Sequence, residues 1–262
     1  MVGKYQVPTS NYSMVNNSFT EYHGEAISIG EKPSIAISNP SASMRMALAE
    51  SIFNLMSAPI KSLDRVVLSA NWMAACGSNK DDLAVREGVE ALSRTCCELD
   101  ISIPVGKDSL SMRSKWVEEG QNFEVKSPLT GVISAMAPVV DTRLAITTEL
   151  GSCSNDLYHI KLTDKQRMGG SILAIIEDQL SLETPDVENA KQIRELFNLI
   201  QNEILNKKIT ALHDISDGGM LAALCELSFT NKVGLDIFLS TSDEQIHSEL
   251  FNEELGLIIQ YK

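Results

Sequence analysis

The chain has 262 residues, 44% of them apolar and 22% charged, a globular balance that excludes wholesale disorder. Its 22 basic against 35 acidic residues leave a net charge of -13, which argues against a nucleic-acid coat or an anionic membrane surface as the main partner. The longest apolar run near the middle, 132–140, is broken by Ser134 and Pro138, far below the roughly 18–20 residues that span a bilayer, and the polar amino-terminus lacks the apolar core of a signal peptide.

A prior of about 150 residues per domain allows one large or two modest domains. The first 30 residues are polar and weakly patterned. Ser34–Ser38 alternates and reads as a strand, 41–58 as a helix stopped by Pro59, and Arg65–Trp72 as a buried strand. Asp81–Leu99 reads as a helix capped by Asp81 or Asp82, with Val85, Val89, Leu92, Cys96 and Leu99 on its apolar face. Ile101–Val105 is a short strand. Ser109–Val117 and Phe123–Lys126 flank a polar turn and predict a hairpin; Leu129–Val140 follows as a long strand. Around Glu149–Asp156 the composition shifts to Gly, Ser, Asn and Asp, which sets a domain boundary at 150.

Beyond it, Leu157–Leu162 and Ser171–Ile176 read as strands joined by a Gly169-Gly170 loop. Asp186–Asn206 is an amphipathic helix with Val187, Ala190, Ile193, Phe197, Ile200 and Ile204 on one face. Ile209–Leu212 reads as a strand, Gly218–Phe229 as a helix, and Gly234–Leu239 and Leu255–Gln260 as strands. The last strand runs almost into the carboxyl terminus, so the second domain reads as incomplete. The five cysteines, Cys76, Cys96, Cys97, Cys153 and Cys225, are odd in number and form no C-x-x-C; they read as buried reduced thiols of a cytosolic protein.

Two stretches carry the pattern of a binding site. On the helix at 41–58, Met44, Leu48, Ile52 and Leu55 share one face, while Ser43, Ala47, Glu50, Asn54 and Ser57 share the opposite one. That second face is either solvated or approached by a ligand; its small residues permit close approach, and a carboxylate beside an amide oxygen four residues away suits a hard cation such as Mg²⁺. The second stretch, His213-Asp214-Ile215-Ser216-Asp217-Gly218-Gly219, joins a strand to a helix, where ligands bind in α/β units. Its glycines expose backbone N–H groups to an anion, with Asp214 as metal ligand and Ser216 as phosphate contact. The alternative is a helix cap by Ser216 or Asp217 with Asp214 solvated.

Pro104-Val105-Gly106-Lys107-Asp108-Ser109 follows a strand but is no Walker A loop, because Ile101 stands where that motif needs Gly. It reads as a polar turn. The histidines His23, His159, His213 and His247 are scattered and give no metal-ligand spacing.

Several runs, in order, resemble one family: Tyr22-His23-Gly24-Glu25-Ala26 through Gly30-Glu31-Lys32-Pro33, Ala49 to Asn54, Leu68 to Met73, Pro104 to Met112, Ser127-Pro128-Leu129, the 213–219 motif, and Phe251 to Gly256. Together they are similar to phosphoribosylformylglycinamidine synthase of the large, single-chain type, and the resemblance covers nearly all of the chain. It implies a fragment like the second cycloligase-like half of that enzyme, of mixed α+β / α/β class. Residues 1–150 would be an aminoimidazole ribonucleotide synthetase superfamily N-terminal-like domain, and 151–262 an incomplete C-terminal-like domain.

The resemblance implies an ATP-dependent, glutamine-using, amidine-forming ligase of purine synthesis, with the other half and a glutaminase domain as partners in cis or in trans. In that family the second half holds an auxiliary ATP or ADP with Mg²⁺, while turnover occurs in the first half. Carried over by position, Glu50, Asn54 and Asp214 correspond to magnesium ligands, and Asn11 stands where the family has an aspartate ligand. Ser10 and Ser216 correspond to nucleotide contacts, beside the Gly218 and Gly219 N–H groups that the motif itself offers to phosphate, while Lys107 and Asp108 receive no role. Asn11 removes one negative charge from the metal site. A rival reading is a non-catalytic structural half-module with an empty site. An autonomous cycloligase or small-molecule kinase is disfavoured by the 68–73 and 104–112 motifs. A truncated sheet would also leave an open edge for self-association. The resemblance implies no nucleic-acid or membrane partner and a cytoplasmic location.

Overall fold

The computed structural model describes residues 4–7, 9–151, 155–179, 181–239, 242 and 245–262. A five-stranded sheet occupies the first half of the chain, in the order β1-β2-β7-β3-β4. Its strands are β1 (Tyr12–Asn16), β2 (Gly24–Gly30), β3 (Val67–Met73), β4 (Ser102–Ser109) and β7 (Thr130–Val139). All neighbours are antiparallel except β3 and β4. Between β4 and β7 lies the expected hairpin, β5 (Arg113–Glu118) and β6 (Gln121–Lys126), turned at Glu119 and Gly120, both at positive φ.

Helices α2 (Pro40–Leu55) and α3 (Asn79–Glu98) pack with this sheet. Asn39 caps α2 by accepting from the Ala42 N–H, and Pro40 opens its first turn. Of the opposite face, Ser43 and Ala47 of α2 and Ser57 just beyond it are as buried as Met44 and Leu48, while Glu50 and Asn54 are half-buried. The reason is close contact with β2. A Cβ on Gly30 would lie 2.2 Å from the Ala47 carbonyl oxygen and 2.4 Å from the Ser51 nitrogen, so glycine is what lets strand and helix backbones meet. The cap of α3 is Ser78, whose hydroxyl accepts from the Asp81 N–H, and not Asp81 or Asp82. Leu92, Cys96 and Leu99 are buried as expected, whereas Val89 is exposed.

The second half builds a three-stranded antiparallel sheet, β8 (Asp156–Lys161), β10 (Gly256–Tyr261) and β9 (Ile209–Asp214), in the order β8-β10-β9. Helices α5 (Ala190–Leu205) and α6 (Gly219–Asn231) lie with it. Ile193, Phe197, Ile200 and Ile204 of α5 join the same buried cluster as Met44 and Leu48 of α2, so one core spans both sheets. Gln201 on α5 accepts from the Ile60 N–H at 2.8 Å and donates to the Met56 carbonyl at 2.9 Å. Arg45 and Asp186 add a two-pronged ion pair at 2.7 and 2.6 Å.

Four elements differ from expectation. Ser34–Ser38 is not a strand: Pro33 opens a helical turn, α1 (Pro33–Ala36), because its ring fixes a helical φ. Ser171–Ile176 is also helical, α4 (Ile172–Ile176), with the Ser171 hydroxyl accepting from the Ala174 N–H. The 104–109 motif lies within β4, where Lys107 and Asp108 sit exposed beside Asn71 and Trp72 of β3. Residues 234–239 form no strand. A short helix, α7 (Ile246–Phe251), precedes β10. Cys76, Cys96, Cys97 and Cys225 are free thiols, of which Cys97 is exposed and Cys96 buried; Cys153 lies outside the described residues. Among the described residues no helix is long and apolar enough to cross a membrane.

Gly30→Ala is expected to destabilise the fold by about 1–3 kcal/mol, the usual cost of overpacking. Gly234→Ala, whose added Cβ meets nothing within 4 Å, is its control. Urea denaturation of both variants checks the contact, and equal midpoints would remove it as a constraint.

Candidate functional site

The end of β2, the middle of α2, the residues leading into β1 and the β9–α6 loop surround a cavity of about 570 Å³. The close approach at Gly30 delivers the next backbone group, the Glu31 N–H, to Glu50 Oε2 at 2.6 Å. The other oxygen, Glu50 Oε1, meets Lys32 Nζ at 3.2 Å and accepts from the Ser216 hydroxyl. Lys32, with a side chain only 3% exposed, also donates to Ser216 Oγ at 2.8 Å and to Asp217 Oδ1 at 2.5 Å.

One turn along α2, Asn54 donates its Nδ2 to the Ile29 carbonyl at 2.9 Å, which leaves its Oδ1 for a different partner. Asp214 ends β9 and offers its Oδ1 to the same cavity. Both oxygens accept from one atom, Asn11 Nδ2, at 3.2 Å from Asn54 and 2.5 Å from Asp214. Two acceptors meeting on one amide atom require that atom to be the NH₂ donor. Residues as far apart in sequence as Asn11 and Asp214 are therefore neighbours here. Ser10 and Ser216 line the same cavity. The Ser10 hydroxyl donates to the Tyr12 carbonyl at 2.7 Å.

Gly218 and Gly219 depart from the expected phosphate contact, because both N–H groups are taken inside the protein. Gly218 donates to Glu253 Oε1 at 2.9 Å and Gly219 to the Ser216 carbonyl at 2.9 Å. Gly218 itself, at positive φ, is the cap residue of α6, with no side-chain cap from Ser216 or Asp217. Glu253 also accepts from the Ile172 N–H at 2.8 Å, so one buried carboxylate serves the starts of α4 and α6. Its neighbour Glu254 is held by Arg167 at 2.6 and 2.8 Å. The Phe251 to Gly256 run thus ties the starts of α4 and α6 together.

Burial alone would lower the Lys32 pKa, but the carboxylates of Glu50, Asp217 and Glu253 outweigh it and hold the ammonium above its ordinary value. Burial pushes the Glu50 carboxyl up; Lys32 opposes this, and the nearby Asp214 charge adds to the rise. Among the described residues no three His, Cys, Asp or Glu side chains are placed to hold a metal. The donor set is two carboxylates, Glu50 and Asp214, and two amides, Asn54 and Asn11. Their oxygens are hard donors of the kind that suits Mg²⁺; those of Asn54 and Asp214 meet at the Asn11 amide and Glu50 lines the same cavity, and in that respect the residues fit such a cation.

Sequence reasoning missed Lys32, Glu226 and Glu253 and set His213 aside. Glu226 carried a signal, since it is the one charged residue in the α6 segment Gly219–Asn231. Lys32 and Glu253 lie inside runs that carry the resemblance, but spacing gave them no role, because their partners come from remote parts of the chain.

A family model described as the FGAR-AT PurM_N-like domain matches residues 1–138, and one described as AIR synthase related protein, C-terminal domain, matches residues 155–259. Among solved structures, Thermotoga maritima PurL complexed with FGAR is similar, with a TM-score of 0.71 and 13% identity over 100% of this chain and 40% of that one. The same organism's PurL complexed with ADP gives 0.65 and 14%, over 97% and 38%. Thiamine monophosphate kinase from Aquifex aeolicus gives 0.59 and 11%, over 98% and 84%. At these identities the likeness shows a shared fold. The chain spans about 40% of the length of the first PurL structure.

Glu50→Ala removes one of the partners of the buried Lys32 ammonium and leaves it Asp217 and Ser216; it is expected to cost about 1.5–3 kcal/mol, the worth of a hydrogen bond to a charged group. In a urea-denaturation cycle with Lys32→Met, the double variant should lose about 1–3 kcal/mol less than the sum of the singles. Additivity within about 0.5 kcal/mol would show that the two side chains do not depend on one another.

Proposed function

The chain belongs to the FGAR-AT PurM_N-like domain family, and from that premise we propose that it is part of an ATP-dependent, amidine-forming C–N ligase of purine biosynthesis. The reaction is conversion of formylglycinamide ribonucleotide to formylglycinamidine ribonucleotide with glutamine as amido donor, in the cytoplasm. The remaining half and the glutaminase domain act with it in cis or in trans, and the chain alone is inactive. Its own division is an N-terminal-like domain over 1–150 and a C-terminal-like domain over 151–262. The family matches and the likeness to PurL support this reading.

The piece's own task is to hold ATP or ADP with Mg²⁺ in the 570 Å³ cavity, whose volume lies in the range of about 300–1,000 Å³ usual for small-molecule sites. The observation that carries this is the meeting of Asn54 Oδ1 and Asp214 Oδ1 on the Asn11 amide, beside Glu50. PurL structures complexed with ADP and ATP favour a nucleotide as occupant. Glu50, Asn54, Asp214 and Asn11 would hold the metal, which when bound would neutralise phosphate charge. Ser10 and Ser216 contact the nucleotide, and Lys32 fixes the Ser216 hydroxyl.

One observation favours a second reading, a structural half-module that binds nothing. The site oxygens already have internal partners, Asn54 and Asp214 in the Asn11 NH₂ and Glu50 in Lys32. Calorimetric titration with ADP separates the two readings. The nucleotide reading expects heat that grows when Mg²⁺ replaces EDTA, and absence of heat in both buffers at millimolar ADP supports the empty module. Asn11→Asp sets a carboxylate against Asp214. It is expected to melt below the parent in EDTA, to regain the loss in Mg²⁺, and to bind MgADP about tenfold tighter, a gain of about 1.4 kcal/mol. Equal melting in both buffers would remove Asn11 from the cation position.

A further inference from the structure

His213 was left without a role by sequence spacing, yet it borders the same cavity as Asp214. Its ring is buried, and both nitrogens face oxygen. Nε2 lies 2.7 Å from Glu226 Oε2 on α6, and Nδ1 lies 2.7 Å from the Asp214 carbonyl oxygen and 3.2 Å from Asp214 Oδ1. A carbonyl and an ionised carboxylate have no hydrogen to offer, so each ring nitrogen is the donor. The ring cannot turn without breaking one contact, because the two partners lie on opposite sides of it. Glu226 anchors one end to α6, and the other end bears on both the backbone and the side chain of Asp214.

This fixes what a strand end normally leaves loose. Asp214 is the last residue of β9, and beyond it the chain enters the loop to α6. Its Oδ1 is approached by Asn11 from the β1 side and by His213 from the β9 side. Without His213, Oδ1 would keep the Asn11 contact, and that contact is the one a cation has to displace.

We propose that His213, clamped by Glu226, is a positioning residue that fixes the Asp214 carboxylate toward the cation position it shares with Asn54 and Glu50. The assignment rests on the reading of the cavity as a Mg-nucleotide site. Partners one step removed from a metal ligand commonly govern metal affinity by about 10–100-fold.

The test is calorimetric titration of the full chain with ADP, in EDTA and in Mg²⁺, for the parent, His213→Ala, His213→Asn and Glu226→Ala. His213→Ala and Glu226→Ala should weaken MgADP binding by about tenfold or more and leave ADP binding in EDTA unchanged. His213→Asn, whose amide keeps a donor at the Nδ1 position, should recover most of the loss. Glu226 is 45% exposed, so its truncation keeps the test available should His213→Ala fail to fold. A Glu226→Ala protein with parental Mg²⁺ dependence overturns the assignment, as does equal weakening in both buffers, the mark of a general structural role. A parent that binds ADP in neither buffer overturns the nucleotide reading itself and the assignment with it.

Discussion

The ammonium of Lys32 has no exit to water, and that constraint organises the site. A buried charge persists only among acceptors, and its acceptors come from different parts of the chain: Glu50 from α2, Ser216 and Asp217 from the loop after β9. The backbone of Lys32 is fixed as well, since its carbonyl accepts from the Ser43 hydroxyl at 2.6 Å. Parting the two sheets at this point would take Ser216 and Asp217 from Lys32 and leave its ammonium with Glu50. The Glu31 N–H that meets Glu50 is a consequence of the same placement, since residues 30–32 run directly against α2.

That placement also explains which parts of the fold were legible in the sequence. Helix α2 and the 213–219 turn were readable because spacing alone sets Glu50 beside Asn54 and puts Asp214 at a strand end. The strand β2 was hidden. Its inward row is Gly24, Ala26, Ser28 and Gly30, small residues, with α2 against Gly30 and Val15 and Thr142 against Gly24, and its outward row carries Ile27 and Ile29. The usual link between apolar and buried is inverted there, so an alternation that is present looks like weak patterning. The Ile-Leu-Ala-Ile-Ile run of α4 failed for another reason: a short apolar run has no period long enough to separate strand from helix, and the deciding signal was the Ser171 cap.

The paired glycines show where local chemistry yields to tertiary structure. Gly218-Gly219 at a helix start is a sound anion motif in isolation. Here the anion is the chain's own Glu253, brought from the turn before β10. Consecutive buried glutamates in that turn look hazardous, yet each is matched, Glu253 by two backbone N–H groups and the Lys32 charge, Glu254 by Arg167. The motif's resemblance to a family signature was correct, but its glycine N–H groups bind inside the protein, to Glu253 and to the Ser216 carbonyl.

The cavity's charge balance follows from these pairings. Its walls carry the carboxyl groups of Glu50, Asp214, Asp217 and Glu226. Against them stand Lys32 behind Glu50, His213 between Glu226 and Asp214, and the uncharged Asn11 NH₂. With an aspartate in place of Asn11, another negative charge would lie against Asp214, and the assembled fold would itself call for a divalent cation. Asparagine removes that demand, because its NH₂ serves two oxygens at once. On the proposed reading, Mg²⁺ then arrives as the nucleotide's companion and not as a part of the fold. Its affinity is set by how firmly Asp214 is held once Asn11 lets go.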